Sequence, residues 1–139
     1  MILEESFGIV PLSQESGTWK IFLILHKAGR HWSFPKGHST PGENPLDTAK
    51  RELQEETGLT LVSLVREIPF IENYQFKRRG KLISKRVSYF PAIVEGVPKL
   101  QPEEIREGRW FDLKTALQVL SFPEARAICQ EVMKILNLV

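Results

Sequence analysis

An α/β fold, with a mixed β-sheet lying between helices, is what this sequence predicts, and three observations carry the prediction. Stretches rich in β-branched and aromatic residues are interspersed along the chain with stretches whose apolar residues recur at helical spacing. The run WKIFLILH at 19–26 reads as a strand covered on both faces. At 139 residues, 42% of them apolar and 26% charged, the chain has the length and composition of one globular domain, taken as 1–139.

Residues 7–12 form a short apolar run broken by Pro11, and SQESGT at 13–18 is a polar turn. The strand at 19–26 leads to a turn at 28–31 and a short strand at 32–34 that Pro35 ends. A helix is expected over 45–57. Asn44 is a suitable N-cap, Pro45 suits the first helical position, and Asp47 falls where a capping box places an acid. Leu46, Ala49 and Leu53 form its buried stripe, Gly58 its C-terminal stop, and its acidic face is expected to point away from the apolar one. A strand over 59–70 follows, with Pro69 near its end, then a hairpin of 73–79 and 82–94 turning at Arg79-Gly80-Lys81. Residues 98–102 read as a loop, 108–112 (GRWFD) as a short strand, and 113–120 and 122–138 as helices. Ala125, Ile128, Cys129, Val132, Ile135 and Leu136 mark the buried side of the last one.

Cys129 is the only cysteine, which excludes an intrachain disulfide and, within an apolar helical pattern, predicts a buried structural thiol. The opening MILEESFGIV lacks the positive region and long apolar core of a signal peptide. No apolar run approaches the roughly 18 residues of a membrane span. A cytoplasmic location with no membrane partner is expected, and nothing in the sequence calls for an obligate protein partner. Net charge is +2, but acidic residues crowd 43–56 and basic residues 77–86.

The acidic stretch is the most informative one. Glu52, Glu55 and Glu56 lie at i, i+3 and i+4, which share one face of a helix. Like charges so placed repel, and one Arg51 cannot neutralise three of them. A divalent cation removes the repulsion, and hard carboxylate oxygens suit Mg²⁺, with Mn²⁺ the alternative.

The segment 37–59, GHSTPGENPLDTAKRELQEETGL, fits G-x5-E-x7-R-E-U-x-E-E-x-G-U, where U is apolar, at Gly37, Glu43, Arg51, Glu52, Leu53, Glu55, Glu56, Gly58 and Leu59. This resembles the Nudix box, and the surrounding pattern of strands and helices resembles the Nudix α/β/α sandwich over nearly the whole chain. The resemblance implies hydrolysis of a nucleoside diphosphate linked to another group, with water attacking a phosphorus of the anhydride. It implies Glu52, Glu55 and Glu56 as metal ligands, with Glu55 and Glu56 carrying the main load. It further implies that Arg51 holds a box carboxylate, that Glu43 fixes the loop onto the helix, and that the Gly37 carbonyl approaches the metal. For the general base the candidates are Glu103 and Glu104, with Glu104 six residues before Trp110, as in a tetraphosphate-cleaving branch of the family.

That branch, the animal and archaeal-type diadenosine tetraphosphate hydrolases, is also resembled by His31-Trp32 followed by Pro35-Lys36-Gly37-His38, by Asn73-Tyr74, and by Arg109-Trp110 followed by Ser121-Phe122. The resemblance implies asymmetric cleavage of a dinucleoside tetraphosphate. Such a substrate needs cations, for which Lys36, Lys85, His31 and, in the hairpin, Lys81 are candidates. An adenine needs a flat apolar surface, for which Tyr74 and then Phe122 are candidates, against a reading of ordinary core packing.

The segment between Tyr74 and Phe90 is a few residues longer than its counterpart in that branch. Its run FKRRGKLISKR opens a second reading: a pyrophosphohydrolase acting on the 5′ end of RNA or on another nucleotide or diphosphoinositol. A solvated hairpin guarding an edge strand accounts equally for Arg78 and Arg79. A catalytically silent nucleotide-binding sensor is a third reading, and such modules usually lack acids of the box; none is missing here.

Overall fold

The computed structural model describes residues 1–138. In chain order it contains β1 (Ile2–Glu15), β2 (Thr18–His26), β3 (Trp32–Ser33), β4 (Lys36–Gly37), α1 (Pro45–Thr57), β5 (Thr60–Leu64), β6 (Phe70–Arg78), β7 (Lys81–Glu95), β8 (Ile105–Asp112), α2 (Leu113–Val119) and α3 (Pro123–Ile135). The strands form one mixed sheet. At its centre β1 and β7 run parallel, from Ile2 opposite Ile83 to Leu12 opposite Ile93. Every other pairing is antiparallel: β2 and β4 on β1, β3 and β8 on β2, β5 and β6 on β7.

Alternation along the central strands divides the interior in two. Val10, Leu12, Ile21, Leu23, Val87 and Tyr89 pack with Ala125, Cys129 and Val132 on the α2/α3 side. Ile9, Phe22, Ile24, Phe90 and Ala92 pack with Ala49 and Leu53 of α1 on the other. The sheet is therefore covered on both faces, as expected. Burying the Leu53 side chain contributes roughly 1.5–3 kcal/mol, and that anchoring fixes which residues of α1 can face the site. No helix among the described residues is long and apolar enough to cross a membrane.

Several element boundaries differ from expectation. β1 runs straight through Pro11, which was expected to break it. Pro11 lies between the β4 pairing at Phe7 and Gly8 and the β2 pairing at Leu12, so on that edge its missing N–H falls between two partners. Consequently the polar turn shrinks from 13–18 to the two residues Ser16 and Gly17 between β1 and β2. The strand expected over 59–70 is only Thr60–Leu64, because its register with β7 shifts between Leu61 and Ser63 and it ends soon afterwards. The hairpin turn is the pair Arg79-Gly80, both at positive φ (52° and 77°), so β7 already begins at Lys81. The final helix stops at Ile135, and Met133 joins its buried side.

Candidate active site

The acidic helix is specified by its ends. The Asn44 side chain accepts a hydrogen bond from the Asp47 N–H at 2.8 Å, and Pro45 occupies the first turn. At the other end Gly58 takes φ 77°, and its N–H reaches the Gln54 carbonyl at 2.9 Å. Two further carbonyls of the last turn are taken up from outside. The Lys99 N–H donates to Thr57 O at 2.8 Å, and the Gln101 N–H to Glu56 O at 3.1 Å. Those bonds fasten the loop after β7 to the helix, and that loop leads directly to Glu104.

Arg51 is the hub of the cluster. It grips Glu43 through Nε at 2.7 Å and Nη2 at 3.1 Å, and its Nη1 reaches Glu52 at 2.9 Å and Glu55 at 3.1 Å. Its Nη2 also donates to the His38 carbonyl at 2.8 Å. One guanidinium thus touches three carboxylates, with Glu43 coming in from the preceding loop. Charge still does not balance: Glu43, Glu52, Glu55 and Glu56 face a single arginine. Glu43 is further fixed by the Thr40 N–H at 2.8 Å and the Thr48 hydroxyl at 3.0 Å. The Arg51 bond, with that of Thr40, holds its carboxyl down at about 2. Arg51 is correspondingly raised, first by Glu43.

Glu56 corrects the expectation that the acidic face points away from the core. It lies seven residues after Ala49, on the same side of the helix, and is only 6% exposed. Burial, with the nearby Glu52 charge, pushes its carboxyl up to about 8, while the Lys36 N–H, at 3.2 Å from Oε1, opposes the rise. Glu52 is also raised by burial, against the pull of Arg51. The Glu104 charge adds to the rise at both Glu52 and Glu56. Of the two candidate bases, Glu104 is the one whose charge is felt at Glu52 and Glu56 among the leading effects there. Its backbone is pinned by Lys27 N–H at 2.9 Å and by the Gln101 side chain at 2.8 Å.

Gly37 lies on β4 against this helix. A Cβ placed there would fall on the Glu52 carboxyl, so the bare Cα makes room for that side chain. Carboxylate oxygens in excess over their one arginine, with a buried acid raised by burial and by a neighbouring acid, form a hard donor set suited to a divalent cation. Among the described residues no three such groups converge as an already formed cation site; Arg51 stands between Glu52 and Glu55 instead.

Beside the acids lies a cavity of about 350 Å³, lined in part by His31, Lys36, Tyr74 and Phe122. Four expected substrate residues are thus brought together. The His31 ring stacks on His26 at 4.5 Å and meets Phe122 at 5.2 Å. His26 is itself bonded to Ser33 at 2.9 Å, and burial lowers its imidazole to about 4. Phe122, at 48% exposed, is not a core residue. Tyr74 is half-buried against the α2/α3-side core.

Lys36 joins the cavity to the acids. Burial raises Glu56 and Glu72, and the Lys36 charge opposes it at both. Burial lowers His31 and Lys85, and the same charge adds to it. Lys85 sits opposite Tyr74 in the β6–β7 register and is 8% exposed. Its register neighbour Glu4 is engaged by Arg78 at 2.8 Å, so that acid is shared away from Lys85. Arg78 is accordingly tied to the sheet, while Lys77, Arg79 and Arg86 are exposed. The structure does not bring Lys81 to the site. It starts β7 at the hairpin turn, opposite Arg78, four residues or about 13 Å along the strand from Lys85.

Residues missed from sequence are Glu72, Glu124, Ser33 and Tyr89 in the cavity wall and His26 behind His31. A period-two reading of β6 would have placed Glu72 on the face of Tyr74.

The NUDIX domain sequence model matches residues 3–130. An asymmetrical bis(5′-nucleosyl)-tetraphosphatase of Rattus norvegicus is 39% identical over 114 residues, covering 79% of this chain and 76% of that protein. An RNA pyrophosphohydrolase of Bartonella henselae is 28% identical over 133 residues, covering 79% and 76%. The crystal structure of a C. elegans Ap4A hydrolase binary complex superposes with a TM-score of 0.72 over 98% of this chain and 99% of that one; at 21% identity this likeness speaks for the fold.

Proposed function

This chain belongs to the NUDIX domain family and is a Nudix hydrolase, and from that premise we propose that it cleaves dinucleoside tetraphosphates asymmetrically, giving a nucleoside triphosphate and a nucleoside monophosphate. The observation that carries the reading is the junction at Lys36. On one side stand carboxylates in excess of their arginine; on the other is a cavity with aromatic walls, to which Lys36 brings a positive charge at the side of the acids. A nucleotide has that dual character, a polyanion attached to a flat apolar base.

In this reading Glu52, Glu55 and Glu56, with the Gly37 carbonyl, hold a divalent cation, Mg²⁺ or Mn²⁺. When bound, that ion supplies charge screening of the phosphates and polarisation of the attacking water. Arg51 keeps Glu52 and Glu55 in place and is itself oriented by Glu43. Glu104 takes the proton from the water, and its pinned backbone supports that role. Lys36 and Lys85 neutralise phosphate oxygens, His31 hydrogen-bonds one, and Tyr74 and Phe122 face the base.

A second reading rests on the RNA pyrophosphohydrolase relatives and the exposed Lys77, Arg79 and Arg86. With Arg78 engaged by Glu4, that patch is smaller than its sequence suggests. Incubating the chain with diadenosine tetraphosphate and Mg²⁺, and separately with 5′-triphosphorylated RNA, distinguishes the two. ATP and AMP in equal amounts, resolved by ion exchange, are expected. Two ADP per substrate would contradict the asymmetric cut, and release of pyrophosphate from RNA alone would replace it with the second reading.

A further inference from the structure

The cavity carries two groups that the hydrolysis above does not use, Glu72 and Glu124. Glu72 enters from β6 two residues before Tyr74, hence on the same strand face, and is half-buried. Glu124 enters from the first turn of α3, a position that suits an acidic side chain. That helix role accounts for Glu124 without any ligand, but not for Glu72. Neither acid is in an ion pair among the described residues. Burial raises the Glu72 carboxyl, Lys36 opposes the rise and Glu124 adds to it, so the two acids feel each other across the cavity.

Acceptors of this kind repel phosphate. The polyphosphate therefore belongs on the Lys36 side, and what completes the acid wall is a neutral group with N–H or O–H donors. Tyr74 and Phe122 in the same lining call for that group to be flat and aromatic. At about 350 Å³ the cavity falls in the range of small-ligand sites. We propose that Glu72 and Glu124 accept hydrogen bonds from the exocyclic amine of a nucleobase seated against Tyr74 and Phe122, so that the cavity selects amino bases over bases lacking the amine. The inference rests on the hydrolase reading only in taking the ligand to be a nucleotide.

Three probes test it on the full chain by isothermal titration: AMP, purine riboside 5′-monophosphate (AMP without its amine), and 2′,3′-dideoxy-AMP. Hydrogen bonds to a charged acceptor predict that AMP binds roughly tenfold or more tighter than the analogue lacking the amine. Dideoxy-AMP is expected within about twofold of AMP. Glu72→Ala and Glu124→Ala should each move the AMP-to-analogue ratio toward one, with the melting temperature recorded to show that each variant is folded. Equal binding of AMP and the amine-free analogue by the parent chain overturns the inference without any variant. A ratio that survives both substitutions overturns it too, as does a loss on removing the ribose hydroxyls that matches the loss on removing the amine. No bond is cleaved in these titrations. Tetraphosphate hydrolysis without amine selectivity would remove only this inference, and selectivity without hydrolysis only the substrate assignment.

Discussion

Substituting alanine for Gly37 moves one carboxylate by steric contact alone. Gly37 is not among the residues at positive φ, so alanine adds no torsional strain. Its new Cβ would stand 2.5 Å from Glu52 Oε1, with the other carboxyl atoms nearer still. An ordinary carbon–oxygen contact is about 3.3 Å or more, so the carboxyl must retreat by about 1 Å. Misplacing a group at a reacting centre by that distance costs on the order of 100-fold in rate, or about 2.7 kcal/mol of transition-state stabilisation. Stability changes by no more than that. Alanine reduces unfolded-chain entropy, worth about 0.4–1 kcal/mol, while the crowding costs about 1–3 kcal/mol. The net loss is then at most about 2–3 kcal/mol, and the melting temperature falls by no more than about 10 °C. Steady-state kinetics on diadenosine tetraphosphate with Mg²⁺, at a temperature where thermal melting shows both proteins folded, should give kcat/KM reduced about 100-fold and mainly in kcat. A folded variant within threefold of the parent would refute the claim that Glu52 must sit where it does.

Glu56→Gln should abolish turnover yet stabilise the metal-free chain at pH 8. The folded carboxyl at about 8 lies above its ordinary value, so its contribution is fully present below pH 4.5 and is lost as pH rises through 8. Thermal melts with chelator from pH 5 to 9 should show the parent losing on the order of 1–3 kcal/mol that the variant keeps; parallel curves would contradict the burial argument. Glu55→Gln should reduce kcat far more than Glu43→Gln, because Glu43 touches only the groups that support the cluster; similar losses would overturn that division of roles. Cys129 is buried and its thiol pushed up to about 12 by burial, so a thiol reagent at pH 8 should label it only in denaturant; fast labelling of the native chain would show that α3 does not pack as described.

Local signals carried well where the neighbours in sequence are also neighbours in space. Asn44, Pro45 and Gly58 bound α1 at the positions expected of them, because caps act within one turn. The burial of Glu56 was available from its spacing to Ala49 and Leu53, but charge argued for exposure and hid it. Arg51's grip on Glu43 spans a loop whose path no periodicity gives. Lys81 and Lys85 both read as cations of one hairpin, and only the position of the two-residue turn separates the tip from the site. The cavity was the least legible feature, since its walls come from His31, β3, β4, β6, β7 and the start of α3, which meet only once the sheet and its covering helix are assembled.

The main-chain bonds from Lys99 and Gln101 to the end of α1 are indifferent to side-chain identity but not to residue count. Replacements along this connection, other than proline at 99 or 101, leave both bonds in place. Adding or deleting one position throws them out of phase and shifts Glu104 relative to Glu52 and Glu56. Gly58 is a further constraint, since a Cβ there would meet the Lys99 nitrogen at 2.8 Å. Diverged copies of this chain should therefore keep the length between 97 and 103, with Gln101, whose side chain accepts from the Glu104 N–H, and the core-packed Leu100 less free to vary than their neighbours, and a gap there would mark a copy in which the proposed water-activating acid has been lost or moved elsewhere.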